Sequence, residues 1–351
     1  MDRISKVREL LTEKNLDAVL VMSPHNRRYL SQFTGSAGSV IITKDKALLT
    51  SDFRYNAQAQ EQATDFEFVL QTGGHLPFVI ELLEKNNVKR LGFEGHLTTY
   101  NIFAELDKSF ELTPLSGEIE KIRMVKSEDE VALIQKACDI ADATYEHILT
   151  FVKAGMTEMD VKNELERKMR ELGASGASFD IIVASGARGA LPHGVASEKV
   201  IEDGEMVTLD FGALYKGYIS DITRTFAVGE PSDEMKKVYD VVLESQIAAL
   251  EQIKPGMTGA EADKVSRDII ASHGYGENFG HSLGHGIGLE VHEGPGLAGR
   301  VETVLEEGMC ITIEPGIYID GVGGVRIEDD CIVTKDGLQR LTHSSKELFI
   351  L

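Results

Sequence analysis

Two stretches of this 351-residue chain carry carboxylates where apolar strand residues are expected. The segment VTLDFGALYKGYISDITRTF, 207 to 226, reads as two strands joined at Lys216-Gly217, with Asp210 on the first and Asp221 on the second. CITIEPGIYIDGVGGVRIEDDCIV, 310 to 333, repeats the arrangement around a glycine-rich turn near Val322, with Glu314 and Glu328 on its strands. An unpaired buried carboxylate costs several kcal/mol, so such residues sit on a solvated face, in an ion pair or on a metal. For a lone strand aspartate the solvated face is the commonest outcome. Here the two turns make each pair diagonal cross-strand neighbours, and four carboxylates converge between two similar hairpins.

A carboxylate cluster needs positive charge, and imidazoles lie between the hairpins. NFGHSLGHGIGLEVHEGPG, 278 to 296, supplies His281, His285 and His292, and ASGARGALPHGVAS, 184 to 197, supplies His193 on a turn-like stretch. The spacing of His281 and His285 matches the zinc pair of a helical H-E-x-x-H, but that motif is absent and Gly280, Gly284, Gly286 and Gly288 argue against a helix. A strand or loop is expected, in which glycines allow close backbone approach, one histidine ligates and the others face substrate. Oxygen donors with a single nitrogen suit Mn²⁺, Co²⁺, Fe²⁺ or Zn²⁺ in a two-metal site, the ions roughly 3.5 to 4 Å apart. Such a site ionises water and polarises a carbonyl, which points to hydrolysis.

Composition narrows the partners. The formal charge of −21, from 36 basic and 57 acidic residues, repels phosphate backbones and anionic membranes, so neither nucleic acid nor membrane is expected as a partner. No apolar run approaches the length that spans a bilayer, and the opening MDRISKVRELLTEKNLDAVLVM lacks a signal-peptide pattern. A soluble cytoplasmic protein is the expectation. Cys138, Cys310 and Cys331 form no C-x-x-C pair and read as buried thiols in a reducing compartment.

The elements that must position these residues fall into two parts: an α/β domain over 1–120 and a second domain over 121–351. In the first, the amphipathic RISKVRELLTEKN precedes strand-like AVLVM, GSVIIT and KALLT, then a helical HLPFVIELLEKNN and a strand-like RLGFE. GSAGS, 35 to 39, is a turn without the lysine of a phosphate loop. Pro114 and Gly117 punctuate the end of the domain, and Ser127 to Glu130 forms a capping box opening a long helix. The second domain contains a repeat: VKAGMTEMDVKNELERKMRELG, 152 to 173, aligns without gaps on IKPGMTGAEADKVSRDIIASHG, 253 to 274. Thr157 and Thr258 read as matching N-caps, with Gly173 and Gly274 as matching stops.

The ordered set TLDFG, SDITRTF, HSLGHGIGLEVHE, TIEPGIY and VRIEDD resembles the Xaa-Pro peptidases, prolidase and aminopeptidase P, metallopeptidases of the pita-bread fold shared with methionine aminopeptidase. The resemblance covers almost the whole chain. It implies a small α/β N-terminal domain followed by a pseudo-twofold pita-bread domain, two divalent ions, manganese in the first instance with cobalt or zinc as alternatives, and short peptides with proline in second position as substrates. It further implies Asp210, Asp221, His285, Glu314 and Glu328 as metal ligands, with Glu314 also a proton acceptor. His193, His281 and His292 are then expected to hold the substrate carbonyl and its developing oxyanion, and Arg326 to support the site through hydrogen bonds. Tyr318 is read equally as a packed strand aromatic or as a donor to the site, and Asp268 and His273 receive no role. The resemblance implies a homodimer in which an N-terminal domain borders the partner's site.

Among activities, the compact length favours an Xaa-Pro dipeptidase over an Xaa-Pro aminopeptidase, although the arginine that a dipeptidase needs for the free carboxylate is not legible. The N-terminal domain is superfluous to a methionine aminopeptidase. A non-catalytic binding protein or a metal-free creatinase on the same scaffold has no use for the complete ligand set.

Overall fold

Helix Arg3–Glu13 starts where Asp2 accepts from the Ser5 amide at 2.8 Å, and its buried stripe of Val7, Leu10 and Leu11 faces a sheet. The structure is a computed structural model describing residues 2–351, and the chain divides into two compact units, Met1–Arg123 and Met124–Leu351. The first unit is built on six strands in the order Glu67–Leu70, Ala47–Ser51, Ser39–Thr43, Ala18–Val21, Arg90–Glu94, Glu111–Leu115. Its central strand Ala18–Val21 is buried at every residue, as a strand covered on both faces should be. Pro114, taken from the sequence as punctuation, instead lies in the edge strand Glu111–Leu115, where a missing N–H breaks no ladder. Helix Glu118–Met124 follows it, so the unit ends a few residues later than position 120.

The second unit is written twice. Helices Glu128–Phe151 and Asp233–Gln252 each run into a shorter helix, Glu158–Glu171 and Gly259–Ser272. Thr157 and Thr258 close capping boxes with Asp160 and Glu261. The same threonines bridge to Val200 and Val304, and Gly155 and Gly256 donate to Ile201 and Leu305 carbonyls, both at 2.9 Å. An apolar core lies beneath each pair of helices, one around Tyr145, Leu165 and Phe226, the other around Ala262, Ile311 and Val333.

Each repeat contributes a broken hairpin. In the first, Glu205–Phe211 pairs antiparallel with Ile222–Val228, and a two-residue turn between the paired Tyr215 and Tyr218 puts Lys216 at φ 45° and Gly217 at φ 81°. That left-handed conformation at both turn residues is what matches the twist of a tight hairpin. Thr223 faces Asp210, leaving Asp221 diagonal to it as expected. The second hairpin differs from expectation. The pairs Ile313–Asp329 and Gly316–Arg326 bracket Glu314 directly across from Glu328, not diagonal to it. The reason lies in the turn, which the Ile319–Gly323 pair centres on Gly321 and not on Val322; Glu314 N–H then donates to Leu283 O at 2.8 Å and Glu328 N–H to Thr223 O at 3.0 Å, so both residues leave their own ladder.

The matched caps carry a matched expectation. Thr157→Ala and Thr258→Ala should each lower stability by about 1 kcal/mol, read as a shift of the urea midpoint at unchanged m-value; a silent substitution at either would remove that threonine as the anchor of its helix.

Candidate metal centre

The position of His285 follows from its neighbours. A Cβ on Gly284 would stand 2.0 Å from Thr312 O and one on Gly286 2.0 Å from Gly294 O, so only glycine lets strand Gly284–Gly286 pass between Glu293–Leu297 and Cys310–Ile313. His285 Nδ1–H donates to its own neighbour's carbonyl, Gly286 O, at 3.1 Å. That bond sets the tautomer and turns Nε2 inward, 3.3 Å from Glu314 Oε1 and 3.7 Å from Asp221 Oδ2.

Strand alternation delivers the carboxylates. Asp221, Thr223 and Thr225 share one face of their strand, and Arg326, Glu328 and Asp330 follow the same period-two rhythm. Arg326 is buried and donates from Nη2 to Asp210 Oδ2 at 2.6 Å, from Nη1 to Tyr318 Oη at 2.7 Å and from Nε to Thr223 Oγ1 at 3.0 Å. Thr223 passes its own proton to Glu328 Oε2 at 2.5 Å. Asp330 Oδ2 accepts from Asp221 N–H at 2.8 Å and from the Cys138 thiol at 3.3 Å.

Among the described residues, four buried carboxylate oxygens have no partner, and all belong to this cluster: Asp210 Oδ1, Asp221 Oδ1, Glu328 Oε1 and Asp330 Oδ1. Burial pushes the acids of Asp221 and Glu328 far above the usual carboxylate range, and neighbouring carboxylates push them further; Asp210 rises for the same first reason, checked by Arg326. Asp330 is lifted by burial to about 8. Glu314 is the exception. Burial would raise it, but the hydrogen bond and charge of His285, with His281 and Arg326 behind, hold it below its ordinary value, while the His285 ring is raised in return. Donor atoms of Asp221, His285 and Glu328 all lie within 4.8 Å of one another. Orphaned oxygens and repelling carboxylates with one inward nitrogen are what divalent cations satisfy, so the residues present fit such ions.

One cavity of about 390 Å³ is lined by all the residues singled out in the sequence: His193, Asp210, Asp221, His281, His285, His292, Glu314, Arg326 and Glu328, together with Tyr318. The imidazoles differ in their freedom. His281 Nδ1–H donates to Ser282 O at 2.8 Å, so its Nε2 accepts from Tyr318 O–H at 2.8 Å, and Tyr318 in turn accepts from Arg326. A donor role for His281 toward a ligand requires its Nε2 to release Tyr318. Burial depresses the basicity of His281 and, with the charge of His285, that of His292, whose ring lies 4.5 Å from His285 edge to face. His193 stands exposed at the mouth.

Ion pairs hold the irregular segments. Asp263 accepts from Leu283 N–H at 3.0 Å and pairs with Arg267, whose guanidinium also donates to the carbonyls of Phe279 and His281. Glu293 caps the turn before it, accepting from Leu289 N–H at 2.8 Å and Glu290 N–H at 3.0 Å, and meets Lys126 Nζ at 3.1 Å in a buried pair.

The sequence reading left Thr223 and Asp330 without roles and Tyr318 open between a packed aromatic and a donor to the site. Asp330 carries a legible signal, since it continues the parity of Arg326 and Glu328; the hydrogen bonds of Thr223 to Glu328 and of Tyr318 to His281 join residues 105 and 37 positions apart and leave no local pattern.

Comparison with known proteins agrees with this geometry. Residues 132–335 match the model of metallopeptidase family M24, and residues 3–125 that of the creatinase/prolidase N-terminal domain. An Xaa-Pro dipeptidase of Pyrococcus horikoshii is 43% identical over 99% of this chain and 98% of its own. Among solved structures, an Xaa-Pro dipeptidase from Bacillus anthracis superposes with a TM-score of 0.98 at 53% identity, covering 99% of each chain. An X-Pro aminopeptidase from Thermotoga maritima does so with a TM-score of 0.92 at 40% identity, covering 100% of each.

Two predictions concern the metal-free protein. Asp330 holds its proton more tightly folded, at about 8, than at its ordinary 3.8, so it contributes stability that is complete below about 4 and is lost as pH rises through about 8. Thermal unfolding of chelator-stripped protein should therefore show a midpoint falling from about pH 6 to pH 9, with a divalent cation flattening the slope. Asp221→Asn should abolish the rise in midpoint that added cation gives; an unshifted cation response in that variant would exclude Asp221 from the ligand set.

Proposed function

The chain belongs to metallopeptidase family M24, and from that premise we propose that it is a metallo-exopeptidase with two divalent ions that hydrolyses Xaa-Pro dipeptides. The observation that carries this reading is the convergence of orphaned carboxylate oxygens on the inward nitrogen of His285. In the proposal Asp210, Asp221, His285, Glu314 and Glu328 hold the ions. When bound, such ions supply Lewis acidity, lowering the pKa of water and polarising a carbonyl.

The rest of the work falls to the chain's own groups. Glu314 is the carboxylate kept ionised by its surroundings, which suits it to take the proton of the attacking water and return it to the leaving proline nitrogen. Arg326 fixes Asp210 and, through Tyr318, the ring of His281. His193 and His292 at the rim are suited to donate to the carbonyl oxygen as charge develops on it, with His281 joining once its Nε2 has both gained a proton and exchanged Tyr318 for substrate. An Xaa-Pro bond is a tertiary amide without an N–H, so the proline must be recognised by shape, and Phe179, Ile182, Pro192 and Val291 give the cavity an apolar wall.

A second reading, cleavage of longer peptides, is favoured by two observations. The cavity adjoins another of about 620 Å³ that shares Pro192, His193, His281 and Tyr318 with it. Among the described lining residues of both, Arg326 is the one guanidinium or ammonium group, and Asp210 and Tyr318 engage it, so no cation is free for a dipeptide's carboxylate. Manganese, a homodimeric state and a cytoplasmic location belong to the same proposal. The net charge of −21 speaks against nucleic acid and anionic membranes as partners, and among the described residues no helix is long and apolar enough to cross a membrane.

The test is hydrolysis of Ala-Pro and Ala-Pro-Ala by chelator-stripped protein with and without Mn²⁺, Co²⁺ or Zn²⁺. Metal-dependent cleavage of Ala-Pro is expected, strongest with Mn²⁺, and reduced on the order of a thousandfold or more by Asp221→Asn. Equal or better cleavage of the tripeptide would establish the second reading, and no cleavage with any of the ions would sink both.

A further inference from the structure

Glu158 opens helix Glu158–Glu171, yet its carboxylate does not serve that helix. The capping box is already complete with Thr157 and Asp160. Glu158 is fully buried, and its oxygens turn to another segment: Oε1 accepts from Ser185 N–H at 2.8 Å and Ser185 Oγ–H at 2.9 Å, and Oε2 from Ser197 N–H at 3.1 Å and Ser197 Oγ–H at 2.7 Å. Arg188 lies inside the same segment, pairs with Oε2, and donates from Nη2 to Val195 O at 2.8 Å. Both ends of the stretch Ser185–Ser197 are thus gathered on one carboxylate, with the guanidinium spanning its interior. At its first half the stretch is pressed against strand Gly323–Arg326: a Cβ on Gly324 would stand 2.1 Å from Gly189 O. The tip stands free, with Leu191 52% and Val195 43% exposed and His193 between them. In the other repeat the position aligned with Glu158 is Gly259, so the carboxylate is no inheritance of the duplicated helix start.

We infer that Glu158 is a positioning residue, which together with Arg188 staples the segment Ser185–Ser197 and so sets where His193 stands at the mouth of the cavity. A buried carboxylate that accepts four hydrogen bonds and a guanidinium is a rigid support, and a rigid support is what a donor to a developing oxyanion requires. This inference rests on the reading of His193 as a group that meets substrate.

Glu158→Gln keeps the volume but, whichever way the amide faces, turns an NH₂ toward a backbone N–H of Ser185 or Ser197 that can only donate, so the staple opens while the packing stays. The experiment is a double-mutant cycle on the full-length metal-loaded enzyme, with kcat/KM for Ala-Pro measured for the parent, Glu158→Gln, His193→Ala and the double variant, alongside hydrogen exchange of the Gly194 and Val195 amides. We expect Glu158→Gln to cost about tenfold or more in kcat/KM with faster exchange at the tip, and to cost less than about twofold once His193 is already alanine. A loss that persists undiminished in the His193→Ala background would mean that Glu158 acts on the fold generally, and would overturn the inference, as would a silent Glu158→Gln. If His193→Ala itself costs nothing, the reading of His193 falls and takes the inference with it, an outcome distinct from the other two. Should Glu158→Gln fail to fold, Arg188→Met, at a side chain 26% exposed, runs the same cycle with the same expectations.

Discussion

Mutual repulsion among carboxylates in a buried space is the constraint around which the second unit is built. Asp210, Asp221, Glu314, Glu328 and Asp330 sit within reach of each other's charge, with Arg326 and His285 as the cations beside them. Left alone, such a cluster relieves itself by keeping protons, which is the meaning of the raised acids of Asp221, Glu328 and Asp330. The protein tolerates this strain because the strands that carry the acids are fixed elsewhere. Arg224, fully buried, pairs with Asp329 and donates to the carbonyls of Thr223, Glu328 and Ser344, locking the backbone of both ligand strands from the face opposite the site. Asp329 is held far below its usual range by that neighbour and Lys346, burial notwithstanding. Adjacent residues, Asp329 and Asp330, thus experience opposite environments because a strand turns successive side chains to opposite faces.

The nitrogen donors obey a different constraint. Asp210 lies within a strand and Asp221, Glu314 and Glu328 directly beside strand ends, whereas three of the four imidazoles arrive on irregular backbone that has no ladder to hold it. Ion pairs substitute for the ladder. Asp263 with Arg267 grips the carbonyls and amide around His281, and Glu293 with Lys126 gathers the turn that leads to His292. Strands and the residues at their ends supply the charge of the site, and buried ion pairs supply the placement of its rim.

Much of this was legible in the sequence, for physical reasons that can be named. Strand periodicity exposed the misplaced acids at 210, 221, 314 and 328, glycine density excluded a helix around His285, and the duplicated Gly-Met-Thr cap announced the repeat. The resemblance to Xaa-Pro metallopeptidases, built on five ordered motifs, agrees with the family match over 132–335 and the N-terminal match over 3–125. In the first unit the helix Arg3–Glu13 and the buried strands were readable, whereas the half-exposed edge strand Glu67–Leu70 and the short helices Tyr100–Leu106 and Glu118–Met124 were not, because each buries too few residues to leave a period. Glu158 was invisible for another reason. At a helix start an acid satisfies the dipole and needs no further explanation, and nothing local records that its oxygens reach Ser185 and Ser197.

The backbone hydrogen bond between repeats, Glu328 N–H to Thr223 O, has a bearing on the history of each molecule. Acids at 210 and 221 come from the first repeat and those at 314 and 328 from the second, so the cluster forms only after segments about a hundred positions apart have met. Pairings of such sequence separation are among the last and slowest steps of folding. A chain still on the ribosome, or one that has folded a single repeat, has helices and half a core but no assembled set of acids. With this layout the full set of acids exists only once both repeats have folded onto each other.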